Sequence, residues 1–278
     1  MFEYFKKAKI LEIRALERLA AAGALPPPYS GPRLDFADCL RRQAARQGLA
    51  VIAEYKRASP SRGALDLVLR PDQAALAFAR GGAAALSVLT EKSRFRGRRN
   101  FITRAWNGGA ERFGLPILRK DFIFDPLQVR ATAALPAAAI LLIAKLTPQA
   151  SLLRELRLLA ESFGLQAVVE VLDEVDLDLA RSSGALIIQV NARNFKDMSV
   201  ELSRTLDLAR RRGPKPGELW IAASGFSRPE ELIAAAEAGF TAALVGTALM
   251  HGGRPAEALK RLTGALKKSR GADCPVLP

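Results

Sequence analysis

The chain has very few of the residues from which metal sites and histidine-based catalysis are built. Its 278 residues include one histidine, His251, and two cysteines, Cys39 and Cys274. This leaves little from which to build a zinc site or a Ser-His-Asp triad. We therefore expect no metal and no cofactor, and chemistry that uses lysine, carboxylate, amide and hydroxyl groups. His251 lies between Leu249-Met250 and Gly252-Gly253 and is predicted to be a surface loop residue.

The scarcity of cysteine also argues against a disulfide framework and fits a reducing compartment, so we expect a cytoplasmic location. Charged side chains recur through residues 3–17 and interrupt any signal-peptide apolar core. The longest apolar run, residues 137–144, is too short to cross a bilayer. We therefore predict a protein with no membrane partner.

Positive charge, by contrast, is in excess. Lysine and arginine number 42 against 28 acidic residues, which gives a formal net charge of +14. Such an excess favours anionic partners, either phosphorylated metabolites or nucleic acid. The basic bursts at residues 94–99, 210–212 and 267–268 are scattered, with no zinc-finger spacing or RNA-binding aromatic motif. We therefore predict a small phosphorylated substrate rather than nucleic acid. We also expect a monomer or weak homodimer.

Short apolar segments alternate along the chain with longer segments of helical periodicity, which is typical of βα units around a parallel sheet. Eight strands are predicted, at residues 51–56, 84–90, 116–120, 138–143, 167–171, 185–191, 219–224 and 242–246. Helices are predicted at residues 71–80, 126–134, 149–162, 174–182, 203–212, 229–238 and 255–267, and a broken or short one within 101–113. No Gly-x-Gly-x-x-Gly follows the first strand, so an α/β fold of the single (β/α)8 TIM barrel type is favoured over a doubly wound sheet.

The chain ahead of the first strand predicts helices at residues 3–22 and 36–47, separated by a proline turn at 26–28. Residues 1–48 are too few for a separate domain and are predicted to form an N-terminal helical extension packed on the barrel. Residues 49–270 are assigned to the catalytic barrel and 271–278 to a C-terminal tail.

Polar residues end several of the apolar strands. Active sites of these barrels form at the carboxyl ends of the strands, so the candidates are Glu54, Lys56, Lys120, Glu170, Asn191 and Ser224. Glu54 and Lys56 lie two residues apart on one face of their strand. Since an unpaired buried charge is costly, we expect them to pair at a solvated rim. From this strand alone, structural and catalytic ion pairs are equally good interpretations.

Small residues follow the last two strands. Ser224-Gly225 and Gly246-Thr247 offer backbone N–H groups at the place where such barrels commonly bind phosphate. Either pair alone could simply turn the chain. Their occurrence at consecutive strand ends favours a phosphate site.

These strand ends belong to longer motifs that together identify a family. The motifs are Ile52-Ala53-Glu54-Tyr55-Lys56-Arg57-Ala58-Ser59-Pro60-Ser61, Ser87-Val88-Leu89-Thr90-Glu91, Leu118-Arg119-Lys120-Asp121-Phe122, Val169-Glu170-Val171, Asn191-Ala192-Arg193-Asn194, Ser224-Gly225 and Leu244-Val245-Gly246-Thr247. Over essentially its full length the chain resembles the indole-3-glycerol phosphate synthases of tryptophan biosynthesis. The resemblance implies a carboxy-lyase that closes the ring of 1-(2-carboxyphenylamino)-1-deoxyribulose 5-phosphate, with loss of carbon dioxide and water.

The resemblance also implies a role for each candidate residue. Lys120 is the general acid, Lys56 holds substrate anions and shares in proton transfer, and Glu170 is the acid/base of the dehydration. Glu54 positions the lysines and Asn191 binds the sugar hydroxyls; which lysine acts at which step stays open. The implied binding residues are Ser59 and Arg193 for the carboxylate, Phe95, Phe122, Leu142 and Leu244 for the aromatic ring, and Ser224, Gly225, Gly246, Thr247 and Lys56 for phosphate.

The chain departs from the family pattern near the seventh strand. The family usually has a Ser-Glu-Ser-Gly run, whereas Ala223 stands here in the place of the glutamate. Ala192 and Phe195 also replace a usual asparagine or serine and a usual leucine. Loss of a carboxylate from a lysine-rich pocket is expected to raise the barrier by about 1–3 kcal/mol. We therefore predict an active but slow enzyme.

Two other functions compete with this one. A catalytically impaired paralogue could bind a phosphorylated ligand or a polyanion, but it would have no need for a proton donor facing a base. A phosphoribosylanthranilate isomerase would use a cysteine and an aspartate as its acid/base pair, and neither Cys39 nor Cys274 ends a predicted strand.

Overall fold

In a computed structural model, residues 2–194 and 197–266 are described and form a closed parallel barrel. Each strand pairs in parallel with the next along the chain, and the eighth pairs with the first. The strands are β1 Ala50–Tyr55, β2 Ala85–Leu89, β3 Ile117–Lys120, β4 Ala139–Ile143, β5 Gln166–Val171, β6 Ile187–Asn191, β7 Leu219–Ala223 and β8 Ala242–Val245. The predicted (β/α)8 barrel is confirmed, and each strand lies within two residues of its expected bounds.

Two helices precede the first strand, and the others follow the strands and pack around the barrel. They are α1 Phe2–Ala21, α2 Phe36–Gln47, α3 Pro71–Gly81, α4 Asn100–Ala105, α5 Pro126–Ala133, α6 Ala150–Ser162, α7 Glu174–Ser182, α8 Leu202–Arg212, α9 Pro229–Glu237, α10 Thr247–Met250 and α11 Pro255–Thr263. The helix predicted to be broken within 101–113 is α4 followed by a π-helical turn, Trp106–Ala110, that contains non-helical Gly109. No helix in the described part of the chain is long and apolar enough to cross a membrane.

Several helix starts follow directly from local sequence. Pro126 occupies the first turn of α5, where its missing N–H costs no hydrogen bond, and the Asp125 side chain accepts from the N–H of Leu127. Pro229 and Pro255 begin α9 and α11 in the same position. Local sequence therefore sets the first residue of three helices around the barrel.

Two cores result from the alternation of side chains along each strand. On β4, Ile140 and Leu142 belong to the core between strands and helices, whereas Leu141 and Ile143 belong to the core on the barrel axis. Phe36 and Leu40 of α2 join the axial core, which places α2 over the amino-terminal end of the barrel.

The N-terminal helical extension predicted from the sequence is present. Beyond α1, the Arg33 guanidinium donates to the carbonyl oxygens of Leu135 at 2.8 Å and Phe163 at 3.1 Å, so the segment between α1 and α2 is held against the α5 and α6 side of the barrel. The division of the chain at residues 48 and 270 stays a prediction. The predicted tail, 271–278, lies outside the described residues, as do Phe195 and Lys267-Lys268. His251 lies in a short 3-10 turn, His251–Gly253, rather than an irregular loop.

Candidate active site

A cavity of about 510 Å³ opens at the carboxyl ends of the strands. This volume suits a metabolite of moderate size. The fold brings together at this cavity every candidate residue except one: Glu54, Lys56, Ser59, Phe95, Lys120, Phe122, Glu170, Asn191, Arg193, Ser224, Gly225, Leu244, Gly246 and Thr247. The exception is Leu142, which faces the helices; Leu141 and Ile143 line the cavity instead.

Glu54 is the centre of the charged side of the cavity. Its Oε1 accepts a hydrogen bond from Lys56 Nζ at 2.8 Å, and its Oε2 lies 3.3 Å from Lys120 Nζ without an aligned hydrogen bond. Burial on its own raises the pKa of Glu54, but attraction to the two ammonium groups outweighs it and lowers the pKa to about 2. The carboxylate therefore stays ionised and fixes both lysines at the base of the cavity.

Gly246 at the end of β8 permits this arrangement. A Cβ atom at this position would overlap the Glu54 carboxylate and would lie 3.1 Å from Lys56 Nζ. The sequence predicted Gly246 as a phosphate ligand, and the structure adds a second reason for glycine here. The close approach of a neighbouring carboxylate leaves no room for a side chain.

Glu170 of β5 lies across the cavity from the Glu54 pair and is 1% exposed. Burial raises the pKa of Glu170 above its ordinary value, and the charge of Lys120 and hydrogen bonds from Asn191 and Gln189 offset only part of that rise. Two carboxylates thus share one cavity with opposite pKa shifts. This is the arrangement by which a single site separates an ion-pairing carboxylate from a proton-transferring one.

The loop after β1 and the segment after β6 meet beside Glu54. Ser59 Oγ accepts from the N–H of Arg62 at 3.2 Å, which closes a tight turn within a two-strand hairpin, Ala58–Ser59 with Gly63–Ala64. The Arg193 guanidinium donates to the Met198 carbonyl at 3.1 Å. Both predicted carboxylate ligands therefore lie at the cavity, and their side chains are held by local hydrogen bonds.

An aromatic wall closes the side of the cavity next to Lys120. Phe122 follows β3, and Phe95 projects from the loop after β2, with ring centroids 6.3 Å apart. Phe5 of α1 stacks on Phe122 at 3.7 Å and lies 6.1 Å from Phe95. The N-terminal helix therefore supports the wall directly, a role that the sequence analysis did not assign to Phe5.

A buried charge network behind Lys120 also connects α1 to β3. Lys9 Nζ lies 2.7 Å from Asp121 Oδ1, and the Arg119 guanidinium lies 2.9 Å from Asp121 Oδ2. The hydroxyl of Thr90 donates to Asp121 at 2.6 Å. Burial opposes ionisation of Asp121, but Lys9 and Arg119 hold its pKa well below its ordinary value. Since Asp121 follows Lys120, this network fixes the strand end that carries the lysine.

The proposed phosphate ligands line the part of the mouth formed by β7 and β8. Ser224 adopts a left-handed backbone conformation at φ 71°, and Gly225 follows at φ 93°. This sharp turn lets both residues line the cavity immediately after β7. Ala223, at the end of that strand, is fully buried and pairs with Asn191 of β6, so the position of the missing glutamate adjoins the polar cluster.

Some residues that shape the site were missed in the sequence. Phe5 and Lys9 are distant from the barrel motifs, and nothing in their spacing indicates their partners. Glu91 was quoted only as part of a motif, but its carboxylate accepts from the N–H groups of Arg94 at 2.8 Å and Phe95 at 3.1 Å. Gln189, two residues before Asn191, could have been found as a glutamine within an otherwise apolar strand.

Comparisons with known proteins agree on one family. The family model for indole-3-glycerol phosphate synthase matches residues 6–262. The chain is 41% identical to the indole-3-glycerol phosphate synthase of Chloroherpeton thalassium over 78% of this chain and 80% of the relative. It is 35% identical to that of Aromatoleum aromaticum over 92% of this chain and 98% of the relative.

Among solved structures, 3-hexulose-6-phosphate synthase from Salmonella typhimurium has a similar fold, with a TM-score of 0.60 at 14% identity over 78% of this chain and 98% of that one. At that identity the likeness concerns the barrel alone. The family model, which matches residues 6–262, and the two relatives, which cover most of the chain, show that the chain belongs to the indole-3-glycerol phosphate synthase family.

Proposed function

We propose that this chain converts 1-(2-carboxyphenylamino)-1-deoxyribulose 5-phosphate to indole-3-glycerol phosphate in tryptophan biosynthesis, as its family does, through the cavity residues described above. The observation that carries the assignment of roles is the Glu54 carboxylate between Lys56 and Lys120, with Glu170 buried in the same cavity. This arrangement provides proton donors on one side and a proton-transferring carboxyl on the other.

Ring closure needs an acid. The aromatic carbon that bears the carboxylate attacks the ketone carbon, and the ketone oxygen must gain a proton as the new bond forms. Lys120 is the proposed donor: its side chain is 16% exposed and lines the cavity, and its ammonium group lies 3.3 Å from Oε2 of Glu54. A positioned acid of this kind contributes about 10²–10⁴-fold in rate.

Loss of carbon dioxide restores the aromatic ring. The carboxylate is bound beside Arg193 and Ser59, while Phe95, Phe122 and Leu244 surround the ring. Exclusion of water by this wall disfavours the localised charge of the carboxylate more than the dispersed charge of the transition state. Lys56, fixed by Glu54, helps to hold the substrate anions during this step.

Dehydration completes the indole. The hydroxyl formed from the ketone leaves as water, and the neighbouring methylene carbon, which is bonded to nitrogen, loses a proton, so that the double bond of the five-membered ring forms between these two carbons. Glu170 is the proposed acid/base for this step because its buried carboxyl has a raised pKa and lies at the cavity. Asn191 lies beside it to hydrogen-bond the sugar hydroxyls. The phosphate is assigned to Ser224, Gly225, Gly246 and Thr247, with Lys56 nearby.

The finer description of partners and location follows from composition. We infer a cytoplasmic location from the scarcity of cysteine, and we propose a monomer or weak homodimer. We also infer a small anionic substrate rather than nucleic acid, because many basic side chains already pair with acidic ones. Arg212 lies 3.0 Å from Glu174, and Arg210 lies 3.0 Å from Asp207. Strong, salt-dependent retention on nucleic acid would contradict this inference.

The test of the function is an assay of indole fluorescence with the carboxyphenylamino-deoxyribulose phosphate. We expect turnover by the wild type and a loss of about 10²–10⁴-fold in Lys120→Ala. Lys145→Ala is the matched control: Lys145 follows β4 and pairs with Asp173 at 3.0 Å but does not line the cavity, so its rate should match the wild type. No product from the wild type would refute the function, and full activity of Lys120→Ala would refute the assignment of the acid.

A further inference from the structure

The interior of the barrel holds a glutamine directly beside the proposed acid/base carboxyl. Gln189 of β6 is fully buried and pairs in register with Glu170 of β5 and Ile221 of β7. Its Nε2 donates to Glu170 Oε2 at 2.6 Å. This is a short hydrogen bond between a buried amide and a carboxyl group that lines the cavity.

The carbonyl oxygen of the same amide makes no comparable contact. Gln189 Oε1 is buried and has no hydrogen-bond partner among the described residues. A buried carbonyl oxygen without a partner is costly, and methionine would fill similar volume without that cost. Packing alone therefore does not explain a glutamine here, and its one favourable polar contact is with Glu170.

We propose that Gln189 is a positioning residue for Glu170: it fixes Oε2 from the barrel interior and favours the ionised carboxylate. This rests on the proposed function, in which Glu170 transfers the proton of the dehydration. The charged groups that face Glu170 are Lys120 from β3, Glu54 from β1 and Arg193 from the segment after β6. Two neutral amides also act on the carboxylate, Asn191 at the end of β6 and Gln189 from the barrel interior.

β7 offers no polar competitor for this contact. The β7 residue in register with Gln189 is Ile221, which is apolar, and Ala223 beside Asn191 presents only a methyl group. The resemblance expects a glutamate at position 223, which would add a carboxylate beside Asn191. With alanine there, the Gln189 amide is left to Glu170.

The test compares pH profiles of kcat/KM. Gln189→Met keeps the volume and removes the donor, and Gln189→Asn keeps an amide that is too short to reach. Because a hydrogen bond to the ionised form lowers a carboxyl pKa, both variants should move the acidic limb upward by about one pH unit, a loss of about 10-fold at a pH on that limb. Ile221→Leu, a shape change in the same layer, should leave the limb where it is.

The possible results distinguish a failure of the Gln189 role from a failure of the proposed function. An upward shift in both glutamine variants, with none in Ile221→Leu, supports the positioning role. An active wild type whose acidic limb does not move in either glutamine variant, or moves equally in Ile221→Leu, overturns the role of Gln189 and leaves the function intact. A wild type that makes no indole product refutes the proposed function itself.

Discussion

Replacement of Glu54 by glutamine tests the buried ion pairs at the base of the cavity. Glu54 is fully enclosed, and its pKa falls from an ordinary value of 4.5 to about 2 because Lys56 and Lys120 outweigh the effect of burial. At about 1.4 kcal/mol for each pH unit, this fall corresponds to about 3 kcal/mol in favour of the folded state at neutral pH. Glutamine resembles the protonated side chain and forfeits that contribution.

The pH dependence has a definite sign. Because the folded-state pKa is depressed, the contribution is present above the unfolded pKa of about 4.5 and disappears as the pH falls through about 2. We expect Glu54→Gln to lower the free energy of unfolding by about 3 kcal/mol at pH 7, and by about 2 kcal/mol at pH 3.5. The effect should therefore shrink as acid is added.

The assay is equilibrium unfolding in urea at both pH values. Glu161→Gln serves as the control, because Glu161 pairs with Arg157 on an exposed helix surface and should change stability by less than about 1 kcal/mol. A destabilisation by Glu54→Gln below about 1 kcal/mol at pH 7, or one that grows on acidification, would refute the electrostatic account of this residue.

Other substitutions test further parts of the site. Glu170→Gln should abolish product formation yet melt at a higher temperature than the wild type at pH 8. Because the pKa of Glu170 is raised in the folded state, ionisation of this carboxyl destabilises the folded protein as the pH rises above the unfolded pKa of about 4.5. Equal melting temperatures of variant and wild type at pH 8 would contradict this. Gly246→Ala should lower kcat/KM by about 10-fold or more by displacing Glu54, and an unchanged value would show that the overlap is relieved elsewhere. Ala223→Glu should raise kcat/KM by about 5- to 150-fold, which corresponds to a barrier lower by about 1–3 kcal/mol, and the absence of any gain would contradict the expectation that the missing carboxylate limits the rate. Phe5→Ala should lower the free energy of unfolding in urea by about 3 kcal/mol and raise KM. An unchanged KM would show that α1 does not support substrate binding through the aromatic wall.

The sequence predicted the barrel and most of the cavity because both depend on local patterns. Short apolar segments predicted the strands. Because active sites of such barrels lie at the carboxyl ends of the strands, Glu54, Lys120 and Glu170 could be selected without any knowledge of contacts. Glu54 and Lys56 were expected to pair because side chains two apart share one face of a strand, and the structure confirms this at 2.8 Å.

The error at Leu142 has a physical cause. Strands of a parallel barrel are apolar on both faces, so β4 carries no alternation from which to tell the axial side from the helix side. The resemblance assigned Leu142 to the cavity. In the fold, side chains of β4 point alternately to the two sides of the strand, so Leu142 faces the helices and Leu141 and Ile143 line the cavity.

Contacts between distant parts of the chain could not be predicted either. Lys9 and Asp121 are far apart in sequence, and nothing in the sequence around either residue indicates that they pair. They meet because α1 packs against the end of β3. Phe5 lies in a helix that the sequence predicted, but only the fold shows that its ring stacks on Phe122. Both contacts converge on the strand end that carries Lys120.

The most direct test of the central claim is the identity of the product formed by the wild-type protein. Incubation with 1-(2-carboxyphenylamino)-1-deoxyribulose 5-phosphate, followed by mass spectrometry, should yield a compound that has lost both carbon dioxide and water and shows indole fluorescence. Unchanged substrate after prolonged incubation, or a product that retains the carboxylate, would contradict an active site built on Glu54, Lys120 and Glu170.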